Sequence, residues 1–165
     1  VPDMDSKVFL EIKKKYRGLV NKRRTTLELG EAYDFIETGV KPELQDYMNG
    51  QVLNELEYCL NLYDLEPKVY IAYDRLAYFE KGNDDLRISF DTNIRTRRSD
   101  LLLESGDHGK RLLDSDVWLM EIKTSLAKPL WLCEMLSEFE IRSSSFSKYG
   151  TEYKNMMARQ KEMPK

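Results

Sequence analysis

The chain has 165 residues, which is the size of one ordinary domain and long enough to bury a hydrophobic core. Its formal net charge is -3, so the protein as a whole has no excess of positive charge that would attract a polyanion, and we expect no nucleic-acid partner. A net charge averages over all faces, however, and does not exclude a basic channel within a negatively charged protein.

The chain offers few ligands for a nitrogen- or sulfur-bound metal. The single histidine, His108, lies in a turn-like SGDHG segment, and Cys59 and Cys133 lie in stretches with helical apolar spacing. We expect a solvated histidine and two reduced core thiols, which argues against a zinc site and favours a cytoplasmic protein. No apolar run approaches the roughly 20 residues of a membrane span, and the polar first residues lead us to expect no signal peptide. We therefore expect any membrane anchor to lie outside this chain or on a partner, through which the protein would reach the inner face of a membrane.

The first part of the chain predicts a hairpin followed by two helices. Residues 8–15 alternate between polar and apolar side chains, and a turn at 16–18 leads to a second strand over 19–24. Thr25 or Thr26 is a candidate cap for a helix that ends near Gly39. A longer helix is predicted over 42–63, where apolar residues recur at three- and four-residue steps, and Pro67 follows its end.

The second part predicts antiparallel strands and two further helices. Strands are expected over 68–79, 85–97 and 117–124, and a short strand over 100–104 is expected to pair with residues 110–113. Pro129 suits the first position of a helix ending near residue 139, and a last helix is predicted over 151–160. The succession predicts an α+β fold with helices on one side of hairpin-connected strands.

The predicted strands carry basic residues on the face that alternation separates from the apolar one. The residues that share this polar face, strand by strand, are Lys13 and Lys15; Lys22 and Arg24; Tyr73 and Arg75; Arg87, Ser89 and Asp91; Glu121 and Lys123. The opposite faces, which we expect to pack against the helices, carry Leu10, Ile12, Ile71, Leu86, Ile88, Phe90 and Ile122. A register shift of one residue on the second strand would turn Arg23 to the polar face in place of Lys22.

Two arrangements fit this alternation. In an open antiparallel sheet the charged faces are simply solvated, whereas in a closed barrel with helices outside they converge on a lumen. Two like charges about 6 Å apart cost on the order of 2–3 kcal/mol at an effective dielectric near 20, so an empty basic lumen is unfavourable. A bound polyanion converts that cost into charge-assisted hydrogen bonds worth roughly 1.5–3 kcal/mol each. The barrel therefore predicts a phosphate-chain ligand.

Five short segments, in the same order along the chain, resemble the VTC domain. They are FLEIK at 9–13, YDR at 73–75, LRISFD at 86–91, LMEIK at 119–123 and SFSKY at 145–149. This family is the polyphosphate polymerase domain of the vacuolar transporter chaperone complex, within the triphosphate tunnel metalloenzyme or CYTH superfamily. The resemblance covers about residues 8 to 153, and its short spacers are similar to those of bacterial members.

The resemblance implies an antiparallel β-barrel tunnel in which the γ-phosphoryl group of ATP is transferred to a polyphosphate chain with a divalent metal, Mn²⁺ or Mg²⁺. Catalytic roles would fall to Lys13, Arg75, Arg87 and Lys148. Phosphate contacts would come from Lys13, Lys22, Tyr73, Arg75, Arg87, Lys123, Ser147 and Lys148. Glu121 would be the metal ligand, although it could instead pair with a neighbouring lysine. Arg95, Arg97 and Arg98 are expected to be solvated.

The resemblance also implies that residues 1–165 are a single tunnel domain that lacks part of the family pattern. The family domain begins with a helix, a lysine-bearing strand and a strand pair with an Arg-x-Arg set, and nothing before Phe9 can supply these. The sheet edges left unpaired would be covered by another segment or by a homodimer contact.

Three functions remain open at this point, and whether the chain is an enzyme is undecided. The first is an ATP-dependent polyphosphate polymerase, and the second is a hydrolase of triphosphate or ATP from the same superfamily. The third is a non-catalytic polyphosphate-binding module, which the missing strands favour. The expected partners are polyphosphate and ATP or triphosphate, with a membrane protein as a further candidate.

Overall fold

The structure is a computed structural model that describes residues 2–17, 19–125 and 127–162, without the side chains of Lys15, Asn83, Asp84 and Glu162. The chain forms two compact units, Val1–Pro67 with Leu103–Gly106, and Lys68–Leu102 with Asp107–Lys165. Each unit combines antiparallel strands with helices, which confirms the predicted α+β class.

The first unit contains a long hairpin and two helices. Strands β1 (Lys7–Tyr16) and β2 (Leu19–Glu28) pair along their whole length, and α1 (Leu29–Thr38) and α2 (Gly50–Leu62) follow. Because β2 pairs with β1 as far as Glu28, Thr25 lies inside the strand, and the predicted helix start at Thr25 or Thr26 is wrong. Helix α1 begins after Glu28, whose backbone N–H donates to the Glu31 carboxylate at 2.9 Å in a capping box.

The core of the first unit lies between the hairpin and the two helices. Its buried residues are Leu27, Ala32, Phe35, Val52, Leu53 and Leu56, and partly buried Val8, Leu10 and Ile12 of β1 pack against them. The apolar face of the hairpin therefore packs against helices, as its alternation predicts.

Helix α2 begins eight residues later than its apolar spacing indicates. Asn49 precedes the first helical residue, and its Oδ1 accepts a hydrogen bond from the Val52 N–H at 3.1 Å. The Asn49 N–H in turn donates to Thr25 Oγ1 at 2.8 Å. Thr25 thus accepts a hydrogen bond from the residue that caps α2 instead of capping α1.

The second unit is built on one antiparallel sheet. Strand β4 (Asn83–Arg97) pairs with β3 (Tyr70–Glu80), with β5 (Lys110–Arg111) and with β6 (Leu119–Lys123). Helices α3 (Leu130–Glu138) and α4 (Lys148–Glu162) complete the unit. The apolar face of the sheet is lined by Ile88, Phe90 and Met120 and borders a groove with Trp131, Leu132 and Met135 of α3.

The predicted strand over 100–104 is wrong. Residues Leu103–Ser105 form a short 3-10 helix, and β5 pairs with Arg95 and Thr96 of β4. The guanidinium of Arg97 donates to the carbonyl oxygens of Asp100 at 2.6 Å, Leu102 at 2.9 Å and His108 at 2.9 Å. These bonds satisfy backbone acceptors that a strand would have offered to a neighbour.

The described strands form a two-stranded and a four-stranded sheet, and no closed barrel is present among them. The single tunnel domain over residues 1–165 and its incompleteness stay predictions. Within the described ranges, no helix is both long and apolar enough to cross a membrane. His108 is exposed, as predicted, but Cys133 is exposed as well, so its assignment to the core is wrong.

Replacing Asn49 with alanine removes the side-chain acceptor at the start of α2, and we expect the free energy of unfolding to fall by about 1 kcal/mol. Gln51→Ala, at an exposed position in the same helix, is the matched control and should change stability by less than about 0.5 kcal/mol. Urea denaturation followed by circular dichroism measures both variants. Equal effects of the two substitutions would contradict the capping role.

Candidate functional site

The pairing of β3, β4 and β6 places several of the predicted site residues on one face of the second sheet. Arg75 lies opposite Asp91, Arg87 opposite Lys123, and Ser89 opposite Glu121. Directly opposed residues on neighbouring strands point to the same side of a sheet. We call this side the polar sheet face, and it comprises Tyr73, Arg75, Arg87, Ser89, Asp91, Glu121 and Lys123.

A β-bulge sets which residues of β4 face β3. Ala72 pairs with Arg95 and Asp74 with Thr92, so β4 has one more residue than β3 between these pairs. Asn93 at the bulge has a φ of 49°, in the left-handed region that asparagine tolerates better than most residues. Its amide donates to Asp74 Oδ2 at 2.9 Å. The bulge shifts the alternation by one residue and brings Asp91 opposite Arg75.

Arg95 also stabilises the bulge, through its contact with Asp74. Only 13% of its side chain is exposed, and its guanidinium contacts Asp74 at 3.3 Å and Asp107 at 2.8 Å. Hydrogen bonds from Asn93, and then from Arg95, lower the pKa of Asp74. The expectation that Arg95 and Arg97 are solvated is wrong, because both bind acceptors within their own unit.

At the centre of the polar sheet face, a buried carboxylate is bound by two cations. The Asp91 side chain is 3% exposed, and its oxygens accept hydrogen bonds from Arg75 Nε at 2.5 Å and Arg75 Nη2 at 2.8 Å. Lys148 Nζ donates to Asp91 Oδ2 at 2.6 Å. Burial alone would raise the pKa of Asp91, but the hydrogen bonds from Arg75 and Lys148 lower it.

The contact with Asp91 also changes the pKa of Arg75. The hydrogen bond to Asp91 is the main cause that raises the pKa of Arg75, and the charges of Tyr73, Asp91 and Glu121 contribute less. Glu121 therefore lies near enough to influence the guanidinium. The charge-assisted pair is bidentate, which fixes the plane of the guanidinium group as well as its position.

Tyr73 lies beside both cations. The guanidinium carbon of Arg75 is 4.9 Å from the centroid of the Tyr73 ring, and Lys148 Nζ is 4.3 Å from it. Such distances are those of cation–π contacts. The structure thus brings together Tyr73, Arg75 and Lys148, three of the phosphate contacts that the resemblance implies.

Lys148 reaches this site from the first turn of α4, which begins three residues earlier than the sequence indicates. Ser147 Oγ accepts a hydrogen bond from the Gly150 N–H at 3.1 Å, the geometry of a helix N-cap. The phosphate contact of Ser147 stays a prediction. Further along α4, the Glu152 carboxylate accepts two hydrogen bonds from Arg98, at 2.8 and 2.5 Å. Arg98 itself is exposed, as expected.

Glu121 and Lys123 form an exposed pair on the polar sheet face. Their charged atoms are 3.2 Å apart, and their side chains are 47% and 61% exposed. This is the alternative in which Glu121 pairs with a neighbouring lysine, and its role as a metal ligand stays a prediction. No group of three or more histidine, cysteine or acidic residues suited to a metal ion occurs in the part of the chain that the structure describes.

Lys13 and Lys22 lie in the first unit, directly opposite each other on the hairpin. Lys22 also pairs with Glu11 at 2.5 Å. Arg23 points to the other face, where it pairs with Glu55 of α2. The register left open by the sequence is thereby decided in favour of Lys22, which shares the face of Lys13.

A comparison with family models identifies the family of the chain. The sequence model of the VTC domain matches residues 1–157. The chain belongs to the VTC domain family. No curated protein matches it. The matched range covers both units except for the last residues of α4, so the polar sheet face and the β1–β2 hairpin are both parts of a VTC domain.

Asp91 lies at the centre of the polar sheet face, but neither the alternation nor the resemblance predicts a role for it. Its alternation with Arg87 and Ser89 places it on the polar face, and that signal was present in the LRISFD segment. The pairing of Arg98 with Glu152 has no such signal, because the two residues lie 54 positions apart on different elements.

Asp91→Asn removes the buried negative charge between two cations, and we expect the free energy of unfolding at pH 7 to fall by about 2 kcal/mol. Because the pKa of Asp91 is lower in the folded state, its stabilising contribution is present above the unfolded value of about 3.9 and is lost as the pH falls through the folded value. The gap in free energy of unfolding between wild type and variant should therefore narrow below about pH 4.

Urea denaturation between pH 7 and pH 3 measures this gap. Asp116→Asn, at an exposed position, is the control and should follow the wild type at every pH. A gap for Asp91→Asn that stays constant down to pH 3 would show that its charge does not stabilise the fold.

Proposed function

We propose that this VTC domain binds a polyphosphate chain along its polar sheet face. The observation that carries the proposal is the meeting of Arg75 and Lys148, from a strand and a distant helix, beside the ring of Tyr73. Arg87 and Lys123 lie on the same face. A row of cations suits a ligand with a negative charge on every unit, and arginine and lysine are the residues that bind phosphate oxygens best.

The finer proposal is transfer of the γ-phosphoryl group of ATP to the chain. Phosphoryl transfer needs positioned oxygens and neutralised charge, and it needs no protein nucleophile. Arg75, Arg87 and Lys148 would orient the phosphates, and Tyr73 would flank them. Lys13 and Lys22 are further candidates for phosphate binding on the hairpin, because they lie directly opposite each other. Glu11 already offsets the charge of Lys22, and a phosphate would add an anionic partner for both lysines.

A divalent cation fits Glu121. Mn²⁺ and Mg²⁺ take hard oxygen ligands, and Mg²⁺ is commonly bound by one or two carboxylates together with substrate phosphates. Glu121 supplies one accessible carboxylate whose described ion pair is with an exposed lysine. When bound, the metal would neutralise charge on the phosphate oxygens. We further propose that the polar sheet face is part of a tunnel wall.

A non-catalytic polyphosphate-binding module is the second candidate, and the Glu121–Lys123 pair favours it, because that carboxylate already has a cationic partner. A hydrolase of triphosphate or ATP would use the same residues. Among the described residues, β3 pairs only with β4. Its other edge would accept a further segment or a second copy of the chain.

Sodium tripolyphosphate should raise the melting temperature, because it binds the folded state. For a Kd of about 10 µM, a concentration of 1 mM corresponds to about 2.7 kcal/mol and to a rise of roughly 5–10 °C. Arg87→Gln removes a charge-assisted contact and should weaken binding by about tenfold or more.

Arg111→Gln, at an exposed position on β5, is the matched control. It also removes one positive charge, but it should bind tripolyphosphate as the wild type does. Differential scanning fluorimetry and calorimetric titration at fixed ionic strength measure all three proteins. An unchanged melting temperature of the wild type at every concentration would exclude the polar sheet face as a polyphosphate site.

Glu121→Gln separates the three functions. We expect it to keep tripolyphosphate binding within about threefold of the wild type, since the change releases Lys123, and to lose metal-dependent turnover. Incubation with ATP and Mn²⁺, followed by gel analysis of polyphosphate and assay of orthophosphate, gives the product. Long chains support the polymerase, orthophosphate alone supports the hydrolase, and binding without either product supports the binding module. Turnover by Glu121→Gln at the wild-type rate would contradict its role as metal ligand.

A further inference from the structure

We infer that Asp91 is a positioning residue, whose buried carboxylate holds Arg75 and Lys148 in the orientation that receives phosphate. This inference rests on the proposed phosphate-binding function and deepens it. It assigns a role to an acidic residue in the middle of a basic face, where a simple attraction between cations and phosphates would place none.

The hydrogen bonds of Arg75 divide its guanidinium into a held edge and a free edge. Arg75 has five N–H groups, and the contacts from Nε and Nη2 to Asp91 use two of them. Asp91 is 3% exposed and Arg75 is 29% exposed. The held edge thus lies against a buried carboxylate, and the 29% exposure of the Arg75 side chain allows a ligand to approach its remaining N–H groups.

Lys148 is fixed by the same carboxylate. Its Nζ donates to Asp91 Oδ2 at 2.6 Å and lies 4.3 Å from the centroid of the Tyr73 ring. An ammonium group has three N–H groups, so two remain. A lysine side chain normally loses much rotamer freedom when it binds an anion, and holding it in place beforehand lowers that cost.

Both oxygens of Asp91 accept hydrogen bonds from cations, and the carboxylate is buried. This arrangement favours an anchor for the two cations over a metal ligand, for which an accessible carboxylate such as Glu121 is better placed.

Positioning and simple charge balance predict opposite signs for Asp91→Asn. The substitution raises the charge of the site by one unit, so a site that attracts phosphate by charge alone would bind more tightly. If Asp91 orients the two cations, binding weakens in spite of the added positive charge. We expect the Kd for tripolyphosphate, measured by calorimetric titration at fixed ionic strength, to rise by about tenfold. A Kd that is unchanged or lower would overturn the inference.

A control variant tests whether the loss comes from a loosened α4. Glu152→Gln weakens the pair with Arg98, which is also bidentate and also holds α4, but it leaves Asp91 intact. We expect its Kd to stay within about threefold of the wild type. If Glu152→Gln and Asp91→Asn weaken binding equally, Asp91 has no specific effect on the site, and the inference is wrong.

A second variant keeps the test valid should Asp91→Asn unfold at the assay temperature. Arg75→Lys keeps the positive charge but cannot form the bidentate pair. We expect it to lose tripolyphosphate affinity nearly as much as Arg75→Gln, whereas a role of charge alone would make Arg75→Lys equal to the wild type. Failure of the wild type to bind tripolyphosphate would instead refute the proposed function, so the two failures are distinguishable.

Discussion

The buried carboxylate of Asp91 joins three elements of the second unit. Strand β4 supplies the charge, β3 supplies Arg75 and α4 supplies Lys148. A carboxylate at 3% exposure is costly unless its partners are well placed. The geometry of the cations is therefore tied to the stability of the fold, and loosening either partner would leave a buried charge with fewer hydrogen bonds.

The β-bulge at Asn93 is a condition for this arrangement. Without the extra residue on β4, every side chain beyond the bulge would turn to the opposite face of the sheet. Asp91, Ser89 and Arg87 would then point toward the side that Ile88 and Phe90 share with α3. The contacts of Asp74 with Asn93 and Arg95 thus keep the polar and apolar faces apart, although neither contact belongs to the polar sheet face.

The alternation of polar and apolar residues predicted the features that depend on pairing between neighbouring strands. It gave the faces of β1, β3, β4 and β6, and the contact between Arg75 and Asp91 spans only 16 residues of one hairpin. It could not give the contacts of α4, since Lys148 and Asp91 lie 57 residues apart and the start of the helix depends on the Ser147 cap. The strand predicted over 100–104 failed for a similar reason, because the Arg97 side chain binds the carbonyl oxygens there.

Two acidic residues that differ in burial reduce the repulsion among the cations of the polar sheet face. Asp91 is 3% exposed and Glu121 is 47% exposed, and each is paired with a cation. Exchange of an exposed pair for a phosphate contact costs little, because surface ion pairs contribute about 0–1 kcal/mol. Exchange of the buried pair would leave an unpaired charge in the interior. Under the proposed function, a phosphate chain would therefore displace Glu121 from Lys123 and leave Asp91 on Arg75. One carboxylate would then be available to a metal, while the other would keep its cations in place.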